Sequence, residues 1–230
     1  MIIRAVIPAA GEGKRMKANV SKQFLELAGQ PILHHTLKAI ENSGLVESIT
    51  LVVPASSVDQ IKFDYSDQFP SIAHIIAGGE MRQDSVYKGL CSLGEDTEIV
   101  IVHDGVRPFL TSTMIQMVTE SAEKYGAAIV ATPLNDTLKR INHAGFVQTT
   151  VDRVDLWRVQ TPQAFQYPLL RSAMEQARED NFYGTDEGML IEHFGHSVRI
   201  VPGSEQNIKI TRSEDLPFAE TIAAYLNESK

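Results

Sequence analysis

Residues 2–16 read IIRAVIPAAGEGKRM. The apolar, β-branched run Ile2–Ile7 passes into Pro8-Ala9-Ala10-Gly11-Glu12-Gly13-Lys14-Arg15-Met16, a loop of small residues ending in two cations. In an open parallel sheet, ligands sit at the carboxyl ends of the strands, where this loop falls. Small side chains there let backbone N–H groups approach an anion closely. Two sharper phosphate motifs fail. The P-loop needs four residues between its glycines and a Ser or Thr after the lysine, and the dinucleotide fingerprint needs glycine where Met16 stands. Gly11 and Gly13 alone make a strand-to-helix turn. Arg15 and the nearby Lys22 go further, since a turn has no need of two such cations.

The pattern outward from this loop is repetitive. Strands are expected at Ser48–Val53, Ile72–Ala77, Glu98–Val102 and Ala127–Ala131. Amphipathic stretches lie between them at Pro31–Ser43, Ser56–Tyr65, Arg82–Leu93 and Thr111–Tyr125. Val- and Ile-rich runs spaced by helices predict βαβ units, a mainly parallel sheet and helices on both faces. After Pro133 the pattern changes. Residues 135–160 are polar, with two short alternating runs around a turn at Ala144-Gly145, and read as a projecting arm. Helices return at Pro168–Glu179 and Asp186–Phe194, strands at Ser197–Val201 and Asn207–Ile210, and Ser213 opens a last helix. We read one domain, residues 1–230, with the arm attached.

Composition narrows the function. The 230 residues carry a formal net charge of -8 and a pI of about 5.4. An acidic surface disfavours nucleic acid and anionic membranes, so an anionic substrate needs a local basic pocket. Cys91 is the only cysteine, which excludes an internal disulfide framework and a thiolate metal cluster. No run approaches the ~18 apolar residues of a spanning helix, and a cytoplasmic address is expected. His34 and His35 are adjacent and face different sides of a helix. Trp157 and Phe165 read as packing residues, and Cys91 as a small buried hydrophobe.

Longer strings add specificity. AAGEGKRM is followed by Ser21-Lys22-Gln23-Phe24, GGEMRQDSV at 78–86, HDGVRPF at 103–109 and NDTLKR at 135–140. DRVDLWRVQTPQAF at 152–165, TDEG at 185–188 and NIKIT at 207–211 complete the set. In this order, over nearly the whole chain, they resemble the sugar-phosphate and sugar-alcohol-phosphate cytidylyltransferases, and most closely the 2-C-methyl-D-erythritol 4-phosphate cytidylyltransferase family. One residue departs from the pattern: Ser21 stands where the family usually has proline, which would pre-set the backbone before Lys22.

The resemblance implies a Rossmann-like nucleotidyltransferase fold, with CTP and a sugar-alcohol phosphate as substrates and Mg²⁺ as the cofactor. It also implies a homodimer clasped by the arm. By resemblance, Arg15, Lys22, Arg153 and Lys209 are catalytic. Ala9, Ala10, Gly11, Gly13, Gly78, Gly79, Ser85, Asp104 and Gly105 bind CTP. Arg107, Thr137 and Arg153 receive the acceptor phosphate, and Asp104 supports the metal. Arg82 reads as a charged partner that orders its segment. Arg and Lys suit this chemistry, because phosphoryl transfer needs positioning and positive charge rather than a nucleophilic triad. Three other readings stay open on the residues alone: ribitol 5-phosphate cytidylyltransferase, a CTP-binding regulator without catalysis, and a dinucleotide-dependent oxidoreductase that lacks its fingerprint.

Overall fold

The chain is described by a computed structural model covering residues 1–11 and 21–228. Gly13 and Arg15, both expected in the site, lie outside the described residues.

The elements follow in order: β1 (Ile3–Pro8), the short pair β2 (Glu26–Leu27) and β3 (Gln30–Pro31), α1 (Ile32–Glu41), β4 (Ser48–Val53), α2 (Val58–Tyr65), β5 (Ile72–Ala77) and α3 (Arg82–Cys91). Then come β6 (Ile99–Val102), α4 (Ser112–Tyr125), β7 (Ala127–Pro133), β8 (Leu138–Ile141), β9 (Val147–Val151) and β10 (Trp157–Gln166). The chain ends with α5 (Tyr167–Glu179), α6 (Glu187–His193), β11 (Arg199–Pro202) and α7 (Asp215–Glu228).

Seven strands form one sheet in the order β11-β7-β10-β6-β1-β4-β5. All its pairings are parallel except those of β10, which runs antiparallel to both β6 and β7. The mostly parallel, helix-flanked sheet expected from the sequence is therefore present, with β1 and its loop near the middle. Its strands are apolar on both faces because both faces are covered. On one face Ala5, Ile7 and Leu51 pack with Leu33, Leu37, Ile115 and Val118, from α1 and α4. On the other, Val6, Val52 and Val102 pack with Val86, Leu90, Met174 and Ile191, from α3, α5 and α6.

Three expectations are corrected. Residues 157–160, read as part of the arm, belong to β10 and pair with β7 inside the main sheet. The separate hairpin is β8–β9, turned at Gly145 with φ +84°. Asn207–Ile210, read as a strand, carries no ladder; its backbone is held by separate bonds, Ile210 N–H donating to Val106 C=O and the Asn207 carbonyl accepting from the Arg107 side chain. Cys91 is exposed at the last turn of α3 rather than buried.

Candidate active site

A third, smaller apolar cluster assembles the site. Leu27 and Ile32, from the β2–β3 region, pack with Val106 and Phe109 from the loop after β6, with Ile210, and with Ala219 of α7. Three segments distant in sequence are thereby fixed together, and each carries a polar residue beside its anchor: Lys22 before Leu27, Asp104 before Val106, and Lys209 before Ile210. Burying Ile210 completely leaves Lys209 half-buried at the rim.

The resulting cleft has a volume of about 260 Å³ and is lined by Pro8, Ala9, Ala10, Gly11, Lys22, Gln23, Gly79–Arg82, Ser85, Asp104, Val106 and Lys209. Asp104 is its electrostatic centre. Its Oδ2 lies 2.8 Å from Lys209 Nζ and 3.6 Å from Arg107 Nε, and its Oδ1 accepts from Arg82 Nε at 3.2 Å. Burial alone would push this carboxyl up, but Arg82, Lys209 and Arg107 outweigh burial and hold it far below the usual carboxylate range. Asp104 is therefore an anion at any working pH. Arg82 in turn gives Nη1 to both oxygens of the buried Glu187, at 2.7 and 3.0 Å.

A buried network sets the loop that carries Asp104. The Asp104 N–H donates to the Thr161 hydroxyl at 3.1 Å. That hydroxyl lies 2.9 Å from His103 Nδ1, and His103 Nε2 lies 3.0 Å from the Arg107 carbonyl. These partners select a neutral imidazole, with Thr161 donating to Nδ1 and Nε2–H donating to Arg107. In agreement, burial pushes His103 down to about 4. Arg107 Nη1 donates to the Asn207 carbonyl at 2.7 Å, and Asn207 Nδ2 donates to Thr161 C=O at 2.8 Å and to Gln160 Oε1 at 3.2 Å. Asn207 thus ties the segment bearing Lys209 to β10 and to the Asp104 loop at once.

The glycines divide into those that approach another chain segment and those that do not. A Cβ on Gly78 would stand 2.4 Å from Ala10 Cβ and 2.9 Å from Ser85 Oγ, and one on Gly79 would meet Asp84 Cβ at 2.4 Å. Among the described residues, nothing lies within 4 Å of a Cβ built on Gly11, which lines the cleft. Ser85 shapes this wall: its hydroxyl accepts from Gly79 N–H at 3.0 Å and donates to Met81 C=O at 3.2 Å.

Of the residues singled out in the sequence, Ala9, Ala10, Gly11, Lys22, Gly79, Ser85, Asp104 and Lys209 meet in one cleft. Gly78 and Gly105 pack behind it, Gly105 with a Cβ position 3.1 Å from both Ala9 and Leu33. Arg107 is buried beneath the floor. Thr137 and Arg153 are exposed at the two ends of the β8–β9 hairpin, away from the cleft lining, and Arg153 Nη1 donates to the Asn135 carbonyl. Sequence reasoning assigned no role to Glu187, Thr161 or Asn207. Each lies in a string that carried the resemblance, which is the one signal that could have marked it.

Among the described residues, no three or more His, Cys, Asp or Glu side chains converge on a metal-sized site. Mg²⁺ retains waters and substrate phosphates and needs only one or two protein carboxylates. Asp104, ionised and lining the cleft, fits that requirement as a single donor.

Comparison with known proteins points in one direction. The family model described as 2-C-methyl-D-erythritol 4-phosphate cytidylyltransferase matches residues 3–225. The chain is 45% identical over 222 residues to the protein of that name from Pelotomaculum thermopropionicum, covering 96% of this chain and 93% of the relative. It is 45% identical over 220 residues to the one from Bacillus velezensis, covering 94% of each. Among solved structures, the 4-diphosphocytidyl-2C-methyl-D-erythritol synthase of Anaerococcus prevotii superposes with a TM-score of 0.84 at 33% identity over 98% of both chains. The Thermus thermophilus cytidylyltransferase superposes with a TM-score of 0.82 at 30% identity, covering 97% of this chain and all of that one.

Proposed function

The chain belongs to the 2-C-methyl-D-erythritol 4-phosphate cytidylyltransferase family, and from that premise we propose how the cleft divides the work of its reaction. The enzyme transfers a cytidylyl group from CTP to 2-C-methyl-D-erythritol 4-phosphate and releases pyrophosphate, a step in making isoprenoid precursors. The observation that carries this reading is that the family match, over 3–225, takes in every segment lining the cleft.

An oxygen of the acceptor phosphate attacks the α-phosphorus, and the bond from that phosphorus to the bridging oxygen breaks as pyrophosphate leaves. A phosphomonoester has a second pKa of about 6 and is mostly dianionic at neutral pH, so no general base is required. What the reaction needs is alignment and fixed positive charge. The backbone of Ala9, Ala10, Gly11 and Gly13 cradles the triphosphate. Arg15, Lys22 and Lys209 neutralise the charge that builds up around the α-phosphorus. Gly78, Gly79 and Ser85 form the wall for cytosine and ribose, and Gly105 keeps the Asp104 loop close under Ala9. Asp104 would hold Mg²⁺, and the ion would supply further charge neutralisation on the phosphates.

Thr137 and Arg153 receive the acceptor phosphate, Arg153 through its fork of donors. Arg107 serves from below by holding Asp104 and Asn207. Because Thr137 and Arg153 sit on the hairpin, a homodimer in which each arm reaches the neighbour's cleft is the assembly that brings them to the chemistry. Ile141, Phe146, Val147 and Val154, all more than half exposed, support that reading. Among the described residues, no helix is long and apolar enough to cross a membrane. The net charge of -8 disfavours nucleic acid and anionic membrane surfaces as partners.

The test is pyrophosphate release with CTP and each acceptor in turn. Turnover with methylerythritol phosphate is expected. Turnover confined to ribitol 5-phosphate overturns the acceptor, and CTP binding without release under saturating substrates overturns catalysis.

A further inference from the structure

Glu187 is 1% exposed and does not line the cleft. It is mounted rigidly at the start of α6. Asp186 caps that helix by accepting from Met189 N–H at 2.9 Å, and the Gln163 side chain of β10 reaches both Asp186 Oδ2, at 2.8 Å, and the Gly188 N–H, at 3.1 Å. From this mount both Glu187 oxygens accept from Arg82 Nη1. Arg82 is left with Nε on Asp104 Oδ1, while Lys209 holds Oδ2.

We propose that Glu187 is a positioning residue for CTP: it restrains the Arg82 guanidinium so that Arg82 takes only Oδ1 of Asp104 and leaves Oδ2 to Lys209, at the rim of the cleft. The alternative arrangement is close at hand. Arginine prefers to engage a carboxylate through two parallel N–H donors. Without the anion behind it, Arg82 is free to turn its fork onto both Asp104 oxygens, displacing Lys209 and covering the carboxylate. Engaging both oxygens requires the guanidinium to turn about its stem, and the two bonds from Nη1 to Glu187 resist that turn. The relay therefore acts on the nucleotide end of the cleft and leaves the acceptor residues on the hairpin untouched. It rests on the reading of this cleft as the CTP site.

The experiment measures CTP affinity by calorimetry without acceptor, together with steady-state kinetics and melting curves, for wild type, Glu187→Gln and Glu187→Asp. Losing a hydrogen bond to a charged group typically costs a factor of about 10 or more, so Glu187→Gln is expected to weaken CTP binding by about 10-fold. Glu187→Asp, which keeps the charge on a shorter stem, should lose less, and the acceptor KM should not change in either. If the Gln variant does not fold, the Asp variant carries the comparison. Wild-type CTP affinity in the folded variants overturns the proposal, as does an equal weakening of both substrates, which signals general damage. CTP binding is read apart from turnover, so a wild-type enzyme that releases no pyrophosphate sinks the reaction assignment and leaves this measurement standing.

Discussion

Gly78→Ala tests whether the nucleotide wall is set by backbone approach. The added Cβ would lie 2.4 Å from Ala10 Cβ, whereas carbon atoms rest at about 3.5 Å or more. The two segments must therefore separate by about 1 Å. Ala10 lies in the loop after β1, Ser85 on α3, and both line the cleft. Overpacking of this kind costs about 1–3 kcal/mol, or a fall of several degrees in Tm for a chain of this size. A misplacement of about 1 Å can cost roughly 100-fold in rate. We expect Gly78→Ala to lower kcat/KM for CTP by about two orders of magnitude, out of proportion to its modest destabilisation. The assay is pyrophosphate release with CTP varied, alongside a melting curve. A second change isolates the cause: Ala10→Gly removes the atom that is struck and leaves only the 2.9 Å contact with the Ser85 hydroxyl, which can rotate away. The double variant should recover most of the lost activity. Wild-type kinetics in Gly78→Ala, or no recovery in the double variant, would refute the reasoning.

Lys22→Ala is expected to lower kcat far more than it raises KM for either substrate, because its charge meets the charge formed in the transition state; a pure KM effect in steady-state kinetics would reassign it. Arg153→Ala should chiefly raise the acceptor KM and leave CTP binding intact, and unchanged acceptor kinetics would remove it from the site. Acid stability follows from His103, which faces Asp104, Arg107 and Lys209. Burial holds its folded pKa at about 4, below the 6.5 of an ordinary imidazole, so the unfolded chain binds more protons between those values and stability falls as pH falls through that window. Between pH 7 and pH 5 the loss from this group is about 2 kcal/mol, measurable as a lower denaturation midpoint in urea; an unchanged midpoint would contradict the neutral, buried assignment.

Most of the sheet was legible because its strands are β-branched runs buried on both faces, a pattern that needs no tertiary information. β10 was not. It lies between β6 and β7, yet it carries Arg158, Gln160 and Gln163, and Pro162 falls at the register shift between Val159 and Gln163. Polar residues and a proline argue against a central strand. They are tolerated because Gln160 and Gln163 are themselves bonded to Ser204 C=O and Asp186. The segment 207–210 misled in the opposite way. Its alternation is real, with Ile210 buried and Lys209 at the rim, but the alternation serves a single docking onto Val106 and not a ladder.

The site was legible as a set of cations and glycines, and only through strings of residues longer than any one motif. Its internal pairing was not legible, since Arg82 and Glu187 are 105 residues apart and Asn207 reaches Thr161 across 46. Nothing in local periodicity reports which charge faces which across such spans.

That pairing explains how an acidic chain presents a basic cleft. Arg82, Arg107 and Lys209 converge from three segments, and three cations brought together in a partly desolvated space repel one another. Asp104 is what permits the convergence: each cation has its carboxylate as a partner before any substrate arrives, and Glu187 and the Asn207 carbonyl hold Arg82 and Arg107 from behind. Among the described residues Lys209 has no such second anchor, and its side chain is the most exposed of the three, at 34% against 30% and 11%. The cage is therefore graded. Arg82 and Arg107 are clamped to the protein and keep the carboxylate fixed, whereas Lys209 is the cation whose partner an incoming phosphate can replace at least cost. A charge that exchanges one anion for another as the substrate enters stabilises the bound phosphate without leaving a bare cation behind in its absence, and it sits on the segment that Asn207 and Ile210 pin to the floor of the cleft.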